Sequence, residues 1–338
     1  MTTAGIDVDL AIIGAGPAGL YAATCAGFRG LSTVVLDSLE EVGGQLTALY
    51  PEKPILDVAG FPSILARDLV ARCREQADAF GPTYLLGHRV ETLDDGPDGG
   101  LVLGTAPGTV VRARAVVITG GIGTFRPRPL PAAEGWLGRG VVHFVRELDE
   151  LRGRDVLVVG GGDSAVDWAL TLGGVARSVA LVHRREAFRA HEASVTALHA
   201  SDVRVMVPCE VERLEGAGGD DAAGHVARAV VRDTATGERT TLAVDAVVAA
   251  LGFTADLGPM RRWGLESDGR TLVVDSRMAT SRRGVFAAGD VATYPGMVPL
   301  ISVAFGEAAI AVNNAATVID PTARLSPGHS SDGPHPAA

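Results

Sequence analysis

Short apolar runs alternate along the chain with glycine-rich turns and longer mixed segments. Leu10-Ala11-Ile12-Ile13 and Thr33-Val34-Val35-Leu36 read as buried strands, and Leu20-Tyr21-Ala22-Ala23 between them opens a helix. The pattern returns later. Asp155–Val159 and Ser178–Val182 are apolar strands, and Val166-Asp167-Trp168-Ala169-Leu170 begins a helix between them. Residues 115–121 and 246–252 are two further apolar runs that resemble each other, each ending in glycine. The alternation predicts strand–helix–strand units on parallel sheets, used twice. Elsewhere residues 66–80 predict an amphipathic helix. Residues 84–90 and 102–111 predict strands joined by the polar turn 94–100. Residues 226–232 and 240–244 predict a hairpin, and residues 300–316 a helix.

The expected fold class is α/β, with two Rossmann-like (three-layer ββα) nucleotide-binding domains. Residues 124–131 are proline-rich and read as a crossover, and the buried run 284–290 is expected to rejoin the first sheet. The first domain, residues 1–122 and 280–338, is thus split by a second at residues 123–279.

The turns carry the chemistry. Gly14, Gly16 and Gly19 spell G-x-G-x-x-G between the first strand and its helix, with Pro17 and Ala18 inside the motif. Such a turn brings backbone N–H groups and a positive helix end against a pyrophosphate. The next strand ends in Asp37, 23 positions after Gly14, where an acid binds an unphosphorylated ribose. In the second unit Gly160, Gly162, Asp163, Ser164 and Ala165 form the turn. There the position 23 residues after Gly160 opens the basic run His183-Arg184-Arg185, with Arg189 following. Guanidinium groups there favour a ribose 2′-phosphate, held by bidentate charge-assisted bonds. The pair implies FAD at the first site and NADP(H) at the second. Asp290 is expected near the ribityl chain of the first ligand, and Tyr50 is a candidate to stack on its ring.

Composition narrows the partners. The chain has 338 residues, 47% hydrophobic and only 5% aromatic, with a net charge of −10. That balance argues against a nucleic-acid binder. Cys25, Cys73 and Cys209 are isolated, which excludes a disulfide framework or zinc site and fits a reducing cytosol. No signal peptide and no apolar run of membrane-span length are evident, so the expectation is a cytoplasmic protein with no membrane and no metal. By composition, residues 321–338 read as a disordered tail.

Together these motifs resemble the low-molecular-weight thioredoxin reductases. Those enzymes carry a C-x-x-C pair shortly before the second glycine turn, where this chain reads Val141-Val142-His143-Phe144-Val145-Arg146-Glu147. The chain resembles instead their cysteine-free relatives, the thioredoxin-reductase-like ferredoxin/flavodoxin–NADP+ reductases. The likeness runs from about residue 9 to 331 and includes Gly43-Gly44-Gln45, Asp57-Val58-Ala59-Gly60-Phe61-Pro62 and His183-Arg184-Arg185. Ala304 departs from the glycine usual there.

The resemblance implies FAD contacts from Asp37, Gln45, Tyr50, Asp57, Val90, Phe125 and Asp290. Tyr50 would stack on one flavin face and His329 would cover the other, followed closely by Ser331, which overrules disorder through that point. It implies an oxidoreductase moving electrons between NADPH and ferredoxin or flavodoxin, by hydride transfer to flavin and then one-electron steps, and a homodimer. The alternatives are an NADPH-dependent flavin reductase (diaphorase) with another acceptor, or a flavin/NADP redox sensor without turnover.

Overall fold

The computed structural model describes residues 5–121, 123–217, 224–326 and 328. The chain divides into a first unit, Met1–Thr124 with Ala255–Ala338, and a second, Phe125–Thr254.

Strand Ile6–Ile13 is the centre of the first unit. Its Ile12 lies opposite Val35 of strand Thr33–Leu36 on one side and Val117 of strand Val110–Ile118 on the other, all parallel. Thr83–Leu85 extends the sheet beyond Thr33–Leu36 in parallel, while Leu101–Thr105 and Val90–Asp95 extend the other edge antiparallel. Val285–Ala287 returns to pair with the end of Val110–Ile118. Leu10, Ile12, Val35, Val116 and Val117 are fully buried, as strands covered on both faces require. Helix α1 (Pro17–Phe28) presents Ala22, Ala23 and Ala26 inward. Such small residues let backbones approach closely. α2 (Gln45–Leu49) is a single short turn, and α3 (Ala66–Asp78) packs on α1.

The second unit repeats the scheme. Its parallel sheet runs in the order Val141–Val142, Ala246–Ala249, Asp155–Val159, Ser178–Val182, Arg204–Met206. α4 (Asp163–Gly173) and α5 (Glu192–His199) accompany it. A separate antiparallel sheet, Cys209–Gly216, Val226–Asp233 and Arg239–Ala243, shares a core with Leu157, Val182 and Val247.

Three expectations change. Residues 84–90 are not one strand: Thr83–Leu85 and Val90–Asp95 flank a turn in which Gly87 has φ +70°. Residues 102–111 split in the same way around Pro107, which has no N–H for a ladder, and Gly108 at φ +89°. In both, apolar residues stand on either side of the turn. The return to the first unit comes near residue 255 rather than 280. The reason is packing: Leu257, Met260, Trp263, Leu272 and Val274 join the core that contains Ile12 and Ile118. The Trp263 indole N–H also donates to the Glu91 carbonyl at 3.1 Å.

The last helix, α6 (Ile301–Ile319), runs three residues past its expected end and meets the length and composition of a membrane span. Its inward face, including Ala304, Ala308, Ala311 and Ala315, packs on α1 in the first core.

Candidate functional site

In the first unit the sheet register brings Gly14, Asp37 and Thr119 to one end, just beyond Ile13, Leu36 and Ile118. Gly14 has φ +114°, and a Cβ there would lie 2.5 Å from the Thr119 carbonyl oxygen. A Cβ at Gly19 would lie 1.8 Å from the Gly14 oxygen, so α1 can sit this close to the strand only on glycine. Gly16 differs. Its φ is an ordinary −71°, and a Cβ there meets nothing within 4 Å. Pro17 starts α1, where its missing N–H costs nothing.

Asp37 closes this turn. Its Oδ2 accepts the Ala15 N–H at 2.6 Å and its Oδ1 the Leu39 N–H at 2.9 Å. Burial pushes its carboxyl above the ordinary aspartate value, although these backbone donors pull the other way. The loop before α2 lies against the same turn: the Gly43 N–H donates to the Ala15 oxygen at 2.8 Å. A Cβ on Gly44 would be 3.2 Å from the Gly16 Cα. Gln45 reaches toward Gly121, whose added Cβ would lie 2.9 Å from the Gln45 amide nitrogen.

Tyr50 and Asp290 belong to one electrostatic neighbourhood. The Tyr50 hydroxyl is pushed up by burial and then by the charge of Asp290. The Asp290 carboxyl is pushed up by burial and then by Glu307. Asp57 is exposed, and its carbonyl accepts the Ser302 hydroxyl at 2.9 Å. The Val90 side chain is buried in the core, which leaves its backbone as the group on offer. The Phe125 side chain, His329 and Ser331 lie outside the described residues.

The second unit reproduces the turn. The Gly160 N–H donates to the Val182 oxygen at 3.0 Å, as Gly14 does to Leu36 at 2.7 Å. A Cβ at Gly160 would lie 2.3 Å from the Ala250 oxygen, and one at Gly162 meets nothing within 4 Å. Ala165 is fully buried beneath the turn, and Ser164 is half-buried. Asp163 leads α4, and its Oδ1 accepts the His191 N–H at 2.9 Å. The Arg189 N–H donates to the Gly161 oxygen at 2.7 Å. The basic loop 183–191 is thereby tied to the glycine turn at both contacts.

His183 lies over Gly161, where a Cβ would come within 2.3 Å of its ring, and stacks on Phe188 with centroids 5.4 Å apart. Burial holds its imidazole below the ordinary value; a backbone hydrogen bond to Ala187 opposes this, and the charges of Arg184, Arg185 and Arg189 add to it. Its Nε2 is buried without a partner among the described residues. Arg184, Arg185 and Arg189 are exposed, and none forms an ion pair among the described residues. A dinucleotide fits both turns: each has an open glycine at a helix N-terminus, one beside a carboxylate and one beside three exposed guanidinium groups. Among the described residues no group of three His, Cys, Asp or Glu is placed to hold a metal.

Sequence reasoning missed Thr119, whose hydroxyl donates to the Gly14 oxygen at 2.9 Å, and Glu307. Glu307 had a readable signal, a single charge in an apolar helix.

The chain belongs to the pyridine nucleotide-disulphide oxidoreductase family, whose model matches residues 8–312. It is 59% identical over 326 residues, 96% of this chain and 99% of the other, to the Ferredoxin--NADP reductase of Salinispora tropica. It is 56% identical over 331 residues, 97% and 98% of the two chains, to a protein of the same name from a Nocardioides species. Among solved structures it shares its fold with the thioredoxin reductase of T. acidophilum. The TM-score is 0.78 at 26% identity, covering 92% of this chain and 98% of the other.

Proposed function

We propose that this protein is an FAD-dependent oxidoreductase that moves electrons between NADPH and ferredoxin. The observation that carries the reading is the contrast between two like turns: one open glycine beside Asp37, the other beside the exposed Arg184, Arg185 and Arg189. The electron carrier is taken from the names of the near-full-length relatives.

In this reading the first unit is the FAD domain. Gly14, Gly16, Pro17, Ala18 and Gly19 receive the pyrophosphate at the start of α1, and Asp37 receives the ribose. Gln45, Tyr50, Asp57, Val90, Phe125 and Asp290 complete that site. The second unit is the NADP(H) domain. Gly160, Gly162, Asp163, Ser164 and Ala165 receive its pyrophosphate, and Arg184, Arg185 and Arg189, with His183 beside them, hold the 2′-phosphate. Bound FAD supplies hydride acceptance from NADPH and release of single electrons. The protein supplies binding, orientation and charge, and needs no thiol: Cys25, Cys73 and Cys209 are all buried. The reading extends to flavodoxin as a second carrier, to a cytoplasmic homodimer, and to His329 and Ser331 as a cover over the flavin, all on resemblance.

Anaerobic titration of the purified protein tests the reading. A flavin spectrum that bleaches with NADPH and far less readily with NADH supports it. Absence of flavin, or no preference between the nucleotides, contradicts it. The same titration on a chain truncated before Ser326 tests the cover. An unchanged spectrum and reduction rate at equal FAD occupancy would remove His329 from the site.

A further inference from the structure

Helix α6 carries one charged residue, Glu307, in an otherwise neutral sequence. The residue is 3% exposed and is the one buried charged side chain among the described residues. Burying a carboxylate is costly unless it is hydrogen-bonded. Glu307 has a donor for each oxygen: Oε2 accepts the Gly289 N–H at 2.7 Å, and Oε1 accepts the Tyr294 hydroxyl at 2.6 Å. That bond pushes the tyrosine hydroxyl up to about 12.

Gly289 lies between α1 and α6. It has φ +77°, and an added Cβ would lie 3.5 Å from the Cβ atoms of both Ala18 and Ala304. Ala304 precedes Glu307 by three residues and so lies on the same helix face. α6 therefore holds this glycine by hydrogen bond through Glu307, and its Ala304 lies beside the space an added side chain would fill. The next residue is Asp290, whose carboxyl feels the Glu307 charge.

We propose that Glu307 is a positioning residue of the FAD site, fixing the Gly289–Asp290 turn so that the Asp290 carboxyl is presented to the ligand. The proposal rests on the assignment of FAD to the first unit. It makes a distinction that a purely electrostatic role would not. Glutamine can take the Gly289 N–H on its oxygen and give its NH2 to the Tyr294 oxygen, because a tyrosine hydroxyl accepts as well as donates. Alanine strips both partners, leaving the buried Gly289 N–H unpaired and the half-buried Tyr294 hydroxyl without its protein acceptor.

The test uses full-length protein freed of flavin: wild type, Glu307→Ala, Glu307→Gln and Tyr294→Phe. FAD dissociation constants are read by flavin fluorescence, with circular dichroism as the check on folding and NADP+ binding as the check on the second unit. The expected result is a dissociation constant raised about tenfold or more in Glu307→Ala, within about threefold of wild type in Glu307→Gln, and raised about threefold or more in Tyr294→Phe. NADP+ binding is expected to be unchanged in all of them. If Glu307→Ala does not fold, the other two variants decide. A Tyr294→Phe variant that binds FAD like wild type, or a glutamine variant weakened tenfold, overturns the proposal. Failure of the wild type to take up FAD, with NADP+ still bound, overturns the underlying assignment and the proposal with it.

Discussion

The carboxylate of Asp37, one residue past its strand, accepts the backbone N–H of Ala15 at 2.6 Å, in the turn after the neighbouring strand. An acid expected to bind a ribose is thus also a structural clamp, with its second oxygen on the Leu39 N–H at 2.9 Å. Asp37→Asn keeps the shape but can accept only one of these donors well. The expected cost is about 1–3 kcal/mol of stability and a fall in FAD affinity, measured by thermal unfolding and fluorescence titration. The pH dependence has a definite sign. Burial raises this carboxyl in the folded chain above 3.8, so its penalty is absent below that value and grows as pH climbs through the raised value. Without ligand, wild type should therefore lose stability relative to Asp37→Asn as pH rises through that window. A constant difference would contradict the clamp's burial.

The glycines of the first turn are expected to separate. A methyl group at Gly16 meets no protein atom within 4 Å. Gly16→Ala should melt within a few degrees of wild type and lose about tenfold or more in FAD affinity, because the methyl occupies the space a phosphate needs. Gly19→Ala drives a methyl to 1.8 Å from the Gly14 oxygen and should cost about 3 kcal/mol or more of stability. An FAD affinity unchanged in Gly16→Ala would show that Gly16 has no ligand-facing role.

In the proposed reading, the guanidinium groups at the second turn decide the nucleotide. Arg184→Ala should raise KM for NADPH about tenfold or more, the size of one lost charge-assisted contact, and hardly change KM for NADH. Steady-state kinetics with both nucleotides checks this. Equal losses would place Arg184 away from the 2′-phosphate.

The thiols should be dispensable. Burial pushes Cys25 and Cys73 up to about 11 and also raises Cys209, so none is a ready nucleophile at neutral pH. Replacing all three by alanine or serine should leave NADPH-dependent electron transfer largely intact in protein that retains its FAD. Loss of turnover in a folded, flavin-loaded variant would reveal a thiol relay.

The two glycine turns were legible because their geometry selects residue types at fixed spacing: glycine where a Cβ collides, with Asp37 or His183-Arg184 just past the next strand. What the sequence hid was long-range. Leu257, Met260 and Trp263 are apolar in either unit, and only packing shows that they return to the first core. Gly87 and Pro107 marked real breaks, but apolar residues flank both, so each pair of strands read as one. Glu307 stood out in its helix, yet its partners lie 13 and 18 residues away and meet it only through the fold. His183 read as a further charge for the phosphate. Its stacking on Phe188 and its lowered basicity follow from burial beside Gly161, which no local pattern records.

The most direct measurement mixes FAD-loaded protein with NADPH and oxidised ferredoxin under anaerobic conditions in a stopped-flow spectrometer. It follows the loss of NADPH and the bleaching of ferredoxin together. A hydride carries an electron pair and ferredoxin takes single electrons. The account therefore predicts about two ferredoxins reduced per NADPH consumed, with NADH a poor substitute. Rapid flavin reduction by NADPH with ferredoxin left oxidised would contradict it.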